Sequence, residues 1–522
     1  MNIIFNRIIN LYKQYSLYVS VFIFFWAIFA LTNSGVDSSE GLFHYEVAVQ
    51  IIKHGQLGFA TQPEGIFQIA PNGRFYAGHE IGNTLFMLPT AFVNVMLENV
   101  ASRFVSLETI EKAQQFILSF QAGIYSSITA TLFFALLKVG FNQTVRLSFI
   151  ATILLALTTF FWTYSRNLFD GVICTTLLIS SFFSLVRYRQ TKNSVFIISC
   201  FLALGFAFIT RVSMILGILA AFTYLLIYRK ASIVNKLSEF ILAGITLIPF
   251  IIWQLWYNFL RTGIFYKSPV QTSVYAGNNA LDGNIFIGLS GLLLSPGKSI
   301  FIYAPLLLIS IVLFRRFYRQ YPKEGIYIAA LTIIWFLLHA RLRSWYGAVG
   351  WGPRHLITIL PILFIPFAVN LDYIWQRFSL RITTICLAGF GFILGLSSII
   401  SNWHFRIMYA VEKNIADDQN FIWGWSHNQA IDMLHAGVDN IIRITTKAPI
   451  IVLQNTYSEA NEYASSTINI WTNSFIHAGI PWFAVVILLI PLFVLIYLSV
   501  RHILHFSQQP NTLEERSSRA II

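Results

Sequence analysis

Nearly uncharged apolar runs of about twenty residues recur along the whole chain, and no other feature restricts its fold so strongly. Runs of that length match helices that cross a bilayer. About twelve are present, at 17–33, 116–137, 147–163, 171–186, 195–210, 212–228, 238–260, 299–314, 326–340, 355–370, 382–401 and 478–500. Only 11% of the residues are charged, against about 25% in soluble domains, so lipid must cover much of the surface. The sequence therefore predicts an all-α polytopic membrane protein.

Lys and Arg placement sets the threading. The N-terminus carries Arg7 and Lys13. Short loops carry Lys138 and Arg146; Arg187, Arg189 and Lys192; Arg229, Lys230 and Lys236; Arg315, Arg316, Arg319 and Lys323; and Arg377 and Arg381. The tail adds Arg501, Arg516 and Arg519. Twelve crossings put all of these on one side, which the positive-inside rule makes cytoplasmic, with both termini. The first run has no small-residue cleavage site and reads as a retained signal anchor in a cytoplasmic (plasma) membrane. Counting 85–97 as a span would throw every later basic loop outside. That run is short and holds Pro89 and Asn94, so it reads as a juxtamembrane or re-entrant helix.

This threading gives a transmembrane unit at 1–401, with a first outer loop at about 34–115. A small extracytoplasmic segment follows at 402–477, then a last span and cytoplasmic tail at 478–522. Segment 402–477 is small for a soluble core and is expected to lean on the membrane part. Its Trp403, Trp423, Trp425 and Trp471 suit carbohydrate stacking or the interface equally. The formal charge of +13 follows from the basic loops, and no nucleic-acid motif accompanies it. Cys174, Cys200 and Cys386 lie inside apolar runs and read as small buried hydrophobes.

The outer side collects the polar residues. Asp37, Ser38 and Ser39 form a helix start. Phe43, Val47, Ile51 and Ile52 then repeat at helical spacing up to Gly55, giving an interfacial helix. Asp37, Glu40 and His44 can share one face of it. Asp37 as a simple cap is the bland reading; a catalytic carboxylate is the sharper one. A metal held by Asp37, Glu40 and His44 lacks a compact motif, so a divalent metal is allowed but not indicated, and no cofactor is firmly implied. Arg74, Tyr76, His79 and Glu80 follow, as an ordinary polar loop or as cavity lining. Arg166 and Asp170 are spaced as an intrahelical pair, or Asp170 is a second carboxylate facing the cavity.

Arg211, Lys298, Arg341, Arg343 and Arg354 crowd the side where positive charge is normally depleted. Snorkelling explains one such residue but not five, and the excess points to an anionic ligand such as a lipid phosphate. Lys298 stands where a helix begins, a natural phosphate position. Trp345, Tyr346 and Trp351 line the loop that ends in Arg354, and His355 follows it; Trp345, Tyr346 and His355 are candidate cavity residues.

At these residues the chain resembles the GT-C superfamily of integral-membrane glycosyltransferases, which includes protein O-mannosyltransferases and lipid A aminoarabinose transferases. The resemblance is carried, in order, by VDSSEGLFHYEVA, YSRNLFD, SPGKSIFIYAP and GPRHLITILP. It implies inverting transfer from a polyprenyl-phosphate sugar on the extracytoplasmic face to a glycan, lipid or protein acceptor. It also implies that Asp37 is the catalytic acidic position, Asp170 the second, and that Lys298 and Arg354 contact the lipid phosphate. The family often shows two adjacent acidic residues. Here two serines separate Asp37 from Glu40, which leaves Glu40 as a rival. No phosphate-binding loop or Rossmann fingerprint is present, and a sugar outside the cytoplasm must ride on a lipid phosphate. The competing readings are a transporter or flippase, which needs ionisable groups near the bilayer midplane, and an inactive scaffold of GT-C type.

Overall fold

The protein is described by a computed structural model covering residues 2–36, 39–63, 67–228, 233–269, 281–347, 350–403, 418–426, 428–446 and 468–508. Asp37, Ser38, Arg229, Lys230, Arg516 and Arg519 lie outside the described residues. Helix follows helix: α1 (Asn2–Leu31), α2 (Ser39–His54), α3 (Gly82–Ala101), α4 (Leu107–Ser119), α5 (Gln121–Ala135), α6 (Val145–Leu157), α7 (Phe161–Tyr164), α8 (Asp170–Thr191) and α9 (Val195–Thr210). The order continues with α10 (Ile215–Tyr228), α11 (Ile233–Thr262), α12 (Ile285–Leu294), α13 (Ile300–Tyr303), α14 (Leu307–Gln320), α15 (Pro322–Arg341), α16 (Leu360–Val369), α17 (Leu371–Trp375) and α18 (Phe378–Ile400). Helices at Asp418–Trp423, Gln429–Thr446, Trp471–His477 and Trp482–Gln508 complete the chain. A small antiparallel pair, Phe67–Ile69 with Phe75–Ala77, lies between α2 and α3.

Among the described residues, seven helices are long and apolar enough to cross a membrane. Six coincide with predicted spans, and five further predicted spans coincide with shorter apolar helices. The remaining one, 299–314, is split into α13 and α14. Pro305 follows α13 there, and the Tyr303 carbonyl accepts instead from the Phe160 amide at 2.9 Å; a proline cannot continue the ladder. The helix Trp482–Gln508 exposes Phe483, Ile487, Ile490 and Phe493, a surface that lipid must cover.

Side-chain contacts sort the bundle into two poles. At the pole holding the predicted cytoplasmic loops, Arg189 pairs with Glu324 at 3.2 Å, and Tyr224 donates to the same carboxylate at 2.7 Å. Arg316 and Arg377 both lie over the Tyr373 ring. At the other pole, the rim, Asn33 donates to Ser119 at 2.6 Å, Arg166 to the Ile399 carbonyl at 2.6 Å and Tyr164 to the Trp351 carbonyl at 2.9 Å. Among the described residues, these contacts keep Arg189, Arg316 and Arg377 together with Glu324 and Tyr373, apart from Arg166.

The seventh long helix is α3. Its Gly82 sits on Thr210, Asn94 donates to Tyr45 and the Gln114 carbonyl, and Glu98 pairs with Lys53. All these partners belong to the rim, so α3 stays on one side, as the juxtamembrane reading expects. Helix α2 ends at Gly55, whose φ is +66°, as its sequence signal requires.

Two expectations are corrected. Cys386 is exposed on α18, facing lipid, while Cys174 and Cys200 are buried. Helix α12 interrupts what reads as outer loop; it buries Gly288 and Gly291 and exposes Phe286 and Leu294. In segment 402–477, Gln429–Thr446 packs Gly437 against Ile400, and Trp471 binds the end of α1 through the Asn33 and Ala30 carbonyls.

Candidate active site at the rim

Two glycine contacts bolt the first loop onto the rim. A Cβ on Gly41 would fall 2.3 Å from Leu168 Cβ, and one on Gly82 would fall 2.6 Å from the Thr210 backbone. Only glycine permits such approach. Asn83 then donates to the Leu168 carbonyl at 3.3 Å. The starts of α2 and α3 thus meet the turns that precede Asp170 and carry Arg211.

Asp170 opens α8, and its carboxylate lies 3.2 Å from Arg211 Nε. The expected intrahelical pair with Arg166 is corrected: Arg166 sits in the turn before the helix and binds Ile399. Burial alone would lower the Arg211 pKa; Asp170, and Glu40 beyond it, outweigh burial and raise it. Among the described residues, Arg211 Nη1 is buried without a hydrogen-bond partner, as is Thr358 Oγ1. Both atoms lie close to Gly171.

Arg354 begins the 3-10 turn Arg354–Ile359. A Cβ on Gly350 would fall 2.3 Å from its Cδ, so that glycine makes room for the side chain. Its guanidinium stands 5.1 Å from the Phe169 ring centre, while Nε has no partner. His355 Nδ1 is likewise buried and unpartnered. Buried polar atoms are almost always paired. Among the described residues these four atoms lack a partner, and the two arginine donors among them suit a polar anion.

Lys298 is 1% exposed and donates to the Gly350 and Gly352 carbonyls at 2.7 and 3.3 Å. Gln429 reinforces the same loop, accepting from the Gly352 amide at 3.0 Å.

Other expected site residues go elsewhere. Arg341 donates to the Gly283 carbonyl at 2.7 Å, and Arg343 pairs with Asp282 at 2.9 Å, so both anchor the turn before α12. Trp345 is buried against Gly291, and Tyr346 packs edge-on beside it. Glu80 is buried and pairs with Arg261 at 2.8 Å, while Ser268 and Gln254 donate to it. It ties the first loop to α11. Arg74 donates to Gln56 and the Gly58 carbonyl, and Tyr76 packs on Gly58; both stabilise the small hairpin. Arg261, Tyr164, Phe169 and Gln429 were not singled out by sequence. For Arg261 the signal existed, a cation ending an apolar run.

Glu40, His44 and His79 form a second cluster. Each offers a ligand atom, and these atoms lie within 4.8 Å of one another. The triple suggested by sequence, with Asp37, is thus replaced among the described residues by one with His79. Burial first, and then His79, push the His44 pKa well below its usual value.

The sequence model of the dolichyl-phosphate-mannose-protein mannosyltransferase family matches residues 104–256. No curated protein matches the chain. Among solved structures, ArnT from Cupriavidus metallidurans bound to undecaprenyl phosphate aligns at 14% identity and TM-score 0.45, over 95% of this chain and 78% of that one. The archaeal oligosaccharyltransferase AglB from Archaeoglobus fulgidus, in complex with an inhibitory peptide and a dolichol-phosphate, aligns at 12% identity and TM-score 0.34, over 92% and 56%. Over residues 104–256 the chain is similar to that mannosyltransferase family.

Proposed function

We propose that the protein transfers a sugar from a polyprenyl-phosphate donor to an acceptor hydroxyl, with inversion, at an extracytoplasmic rim of the plasma membrane. The carrying observation is a pair of buried donor atoms, Arg211 Nη1 and Arg354 Nε, that lack a partner among the described residues, with Arg211 held against the Asp170 carboxylate. The family match over 104–256, which contains Asp170 and Arg211, supports it.

In this reading Asp37 is the general base and Glu40 its neighbour on the same loop. The acceptor oxygen attacks the anomeric carbon as its proton passes to Asp37. The bond from that carbon to the phosphate oxygen breaks, and the polyprenyl phosphate leaves as an anion. Arg354 and Arg211 stabilise the charge that develops on it. Asp170 fixes Arg211, and Lys298 fixes the loop that presents Arg354. The donor's tail lies in lipid, and the acceptor is a glycan, lipid or protein.

The test incubates purified protein with labelled polyprenyl-phosphate sugars and an acceptor mixture. Transfer or slow donor hydrolysis in the wild type, lost in Asp37→Asn with donor binding retained, is expected. Vesicle counterflow without any bond cleavage would overturn the reading in favour of transport.

A further inference from the structure

The Glu40, His44 and His79 cluster borders the groups assigned to transfer through Glu40, but its chemistry is of another kind. Residues 40 and 44 are one helical turn apart on α2, so both side chains leave the same face. His79 comes from the turn before α3. That turn is clamped: Arg261 donates to the His79 carbonyl at 2.7 Å while pairing with Glu80 at 2.8 Å.

His44 is 2% exposed, and its Nδ1 lies 3.1 Å from Thr84 Oγ1 on α3. With Nδ1–H donated there, Nε2 keeps an in-plane lone pair, the arrangement found when a second partner orients a metal-binding histidine. His79 Nε2 is buried with no hydrogen-bond partner among the described residues, and such a group is costly unless something binds it. The two imidazole centres are 5.5 Å apart and tilted by 49°, so they do not stack. Tetrahedral zinc, with bonds of about 2.0–2.1 Å, would hold ligand atoms about 3.3 Å apart. Binding would draw the present spread, up to 4.8 Å, inward to that distance.

We propose that Glu40, His44 and His79 bind one divalent transition-metal ion, zinc or a close relative. Two imidazoles and one carboxylate are borderline donors, which suit zinc or iron; calcium and magnesium prefer oxygen alone. Three protein ligands leave the ion's remaining position open to water or an anion. The ion would also pin α2 to the turn preceding α3. The site stands whether or not the chain transfers sugar.

The test uses full-length protein in detergent, stripped with EDTA and titrated with ZnCl2. The wild type is expected to bind one zinc per chain and to gain thermal stability on binding. His79→Gln and Glu40→Gln should each weaken zinc affinity about 100-fold or more and lose that gain, while unfolding like the stripped wild type. His44→Ala should do the same; if it does not fold, the other two variants decide. Cobalt in place of zinc should give visible d–d bands that vanish in His79→Gln. Equal zinc binding by wild type and both Gln variants, or none by wild type, overturns the proposal. His505→Gln, in the last helix, should leave the high-affinity zinc unchanged.

Discussion

Replacing Lys298 separates a phosphate ligand from a residue that positions one. Lys298 Nζ reaches the Gly350 and Gly352 carbonyls, and Gly350 packs directly on the Arg354 side chain. Lys298→Met keeps the stem and removes both bonds. Leaving a buried carbonyl short of a donor costs about 1–3 kcal/mol, enough to let the loop shift. A displacement of about 1 Å at a charge-stabilising group lowers rate about 100-fold. Arg354→Ala removes the group itself, worth about 100- to 1,000-fold, or about 2.7–4 kcal/mol. If Lys298 acts through Arg354, Lys298→Met/Arg354→Ala should fall within about threefold of Arg354→Ala alone. The coupling energy would then be about 2.7 kcal/mol, at about 1.4 kcal/mol per decade. The assay is kcat/KM for release of labelled sugar from a polyprenyl-phosphate donor, on detergent-purified variants with matched thermal unfolding. A double variant about 10,000-fold or more below wild type would refute the argument, because two independent phosphate contacts multiply.

Gly350→Ala places a Cβ 2.3 Å from Arg354 Cδ, and it should cut kcat at least about 10-fold with little change in unfolding temperature. Arg341→Ala and Arg343→Ala, whose head groups serve the Asp282–Gly283 turn, should each leave kcat/KM within about threefold of wild type, since such exposed contacts are worth about 1 kcal/mol or less. Glu80→Gln leaves the Arg261 cation buried and uncompensated. It should destabilise the first loop by about 3–5 kcal/mol, read as faster proteolysis between residues 55 and 81.

Much of the architecture is legible in the sequence because membrane burial writes long, uninterrupted signals. Even the exclusion of 85–97 follows from charge bookkeeping alone, and α3 keeps all the contacts named above at the rim. Helix α12 escapes notice because ten apolar residues are too few to cross. At the site, Asp170, Arg211, Arg354 and His355 are legible as charge or polarity on the depleted side. What sequence does not carry is the choice of partner. Lys298, Arg341 and Arg343 share the same charge and the same side, yet each spends its donors on backbone carbonyls or a carboxylate fixed only by tertiary packing. Glu80 reads like Asp37 until α11 brings Arg261 to it. His79 joins Glu40 and His44 only once the hairpin between α2 and α3 has folded the chain back.

The most direct test is a cryo-EM or crystal structure of the full chain with undecaprenyl phosphate, refined well enough to place the phosphate group. The account predicts phosphate oxygens within hydrogen-bond reach of Arg354 Nε and Arg211 Nη1, with the lipid tail leaving between rim helices. A phosphate held by Arg341 and Arg343, or at the opposite pole among Arg315, Arg316 and Arg319, would contradict it.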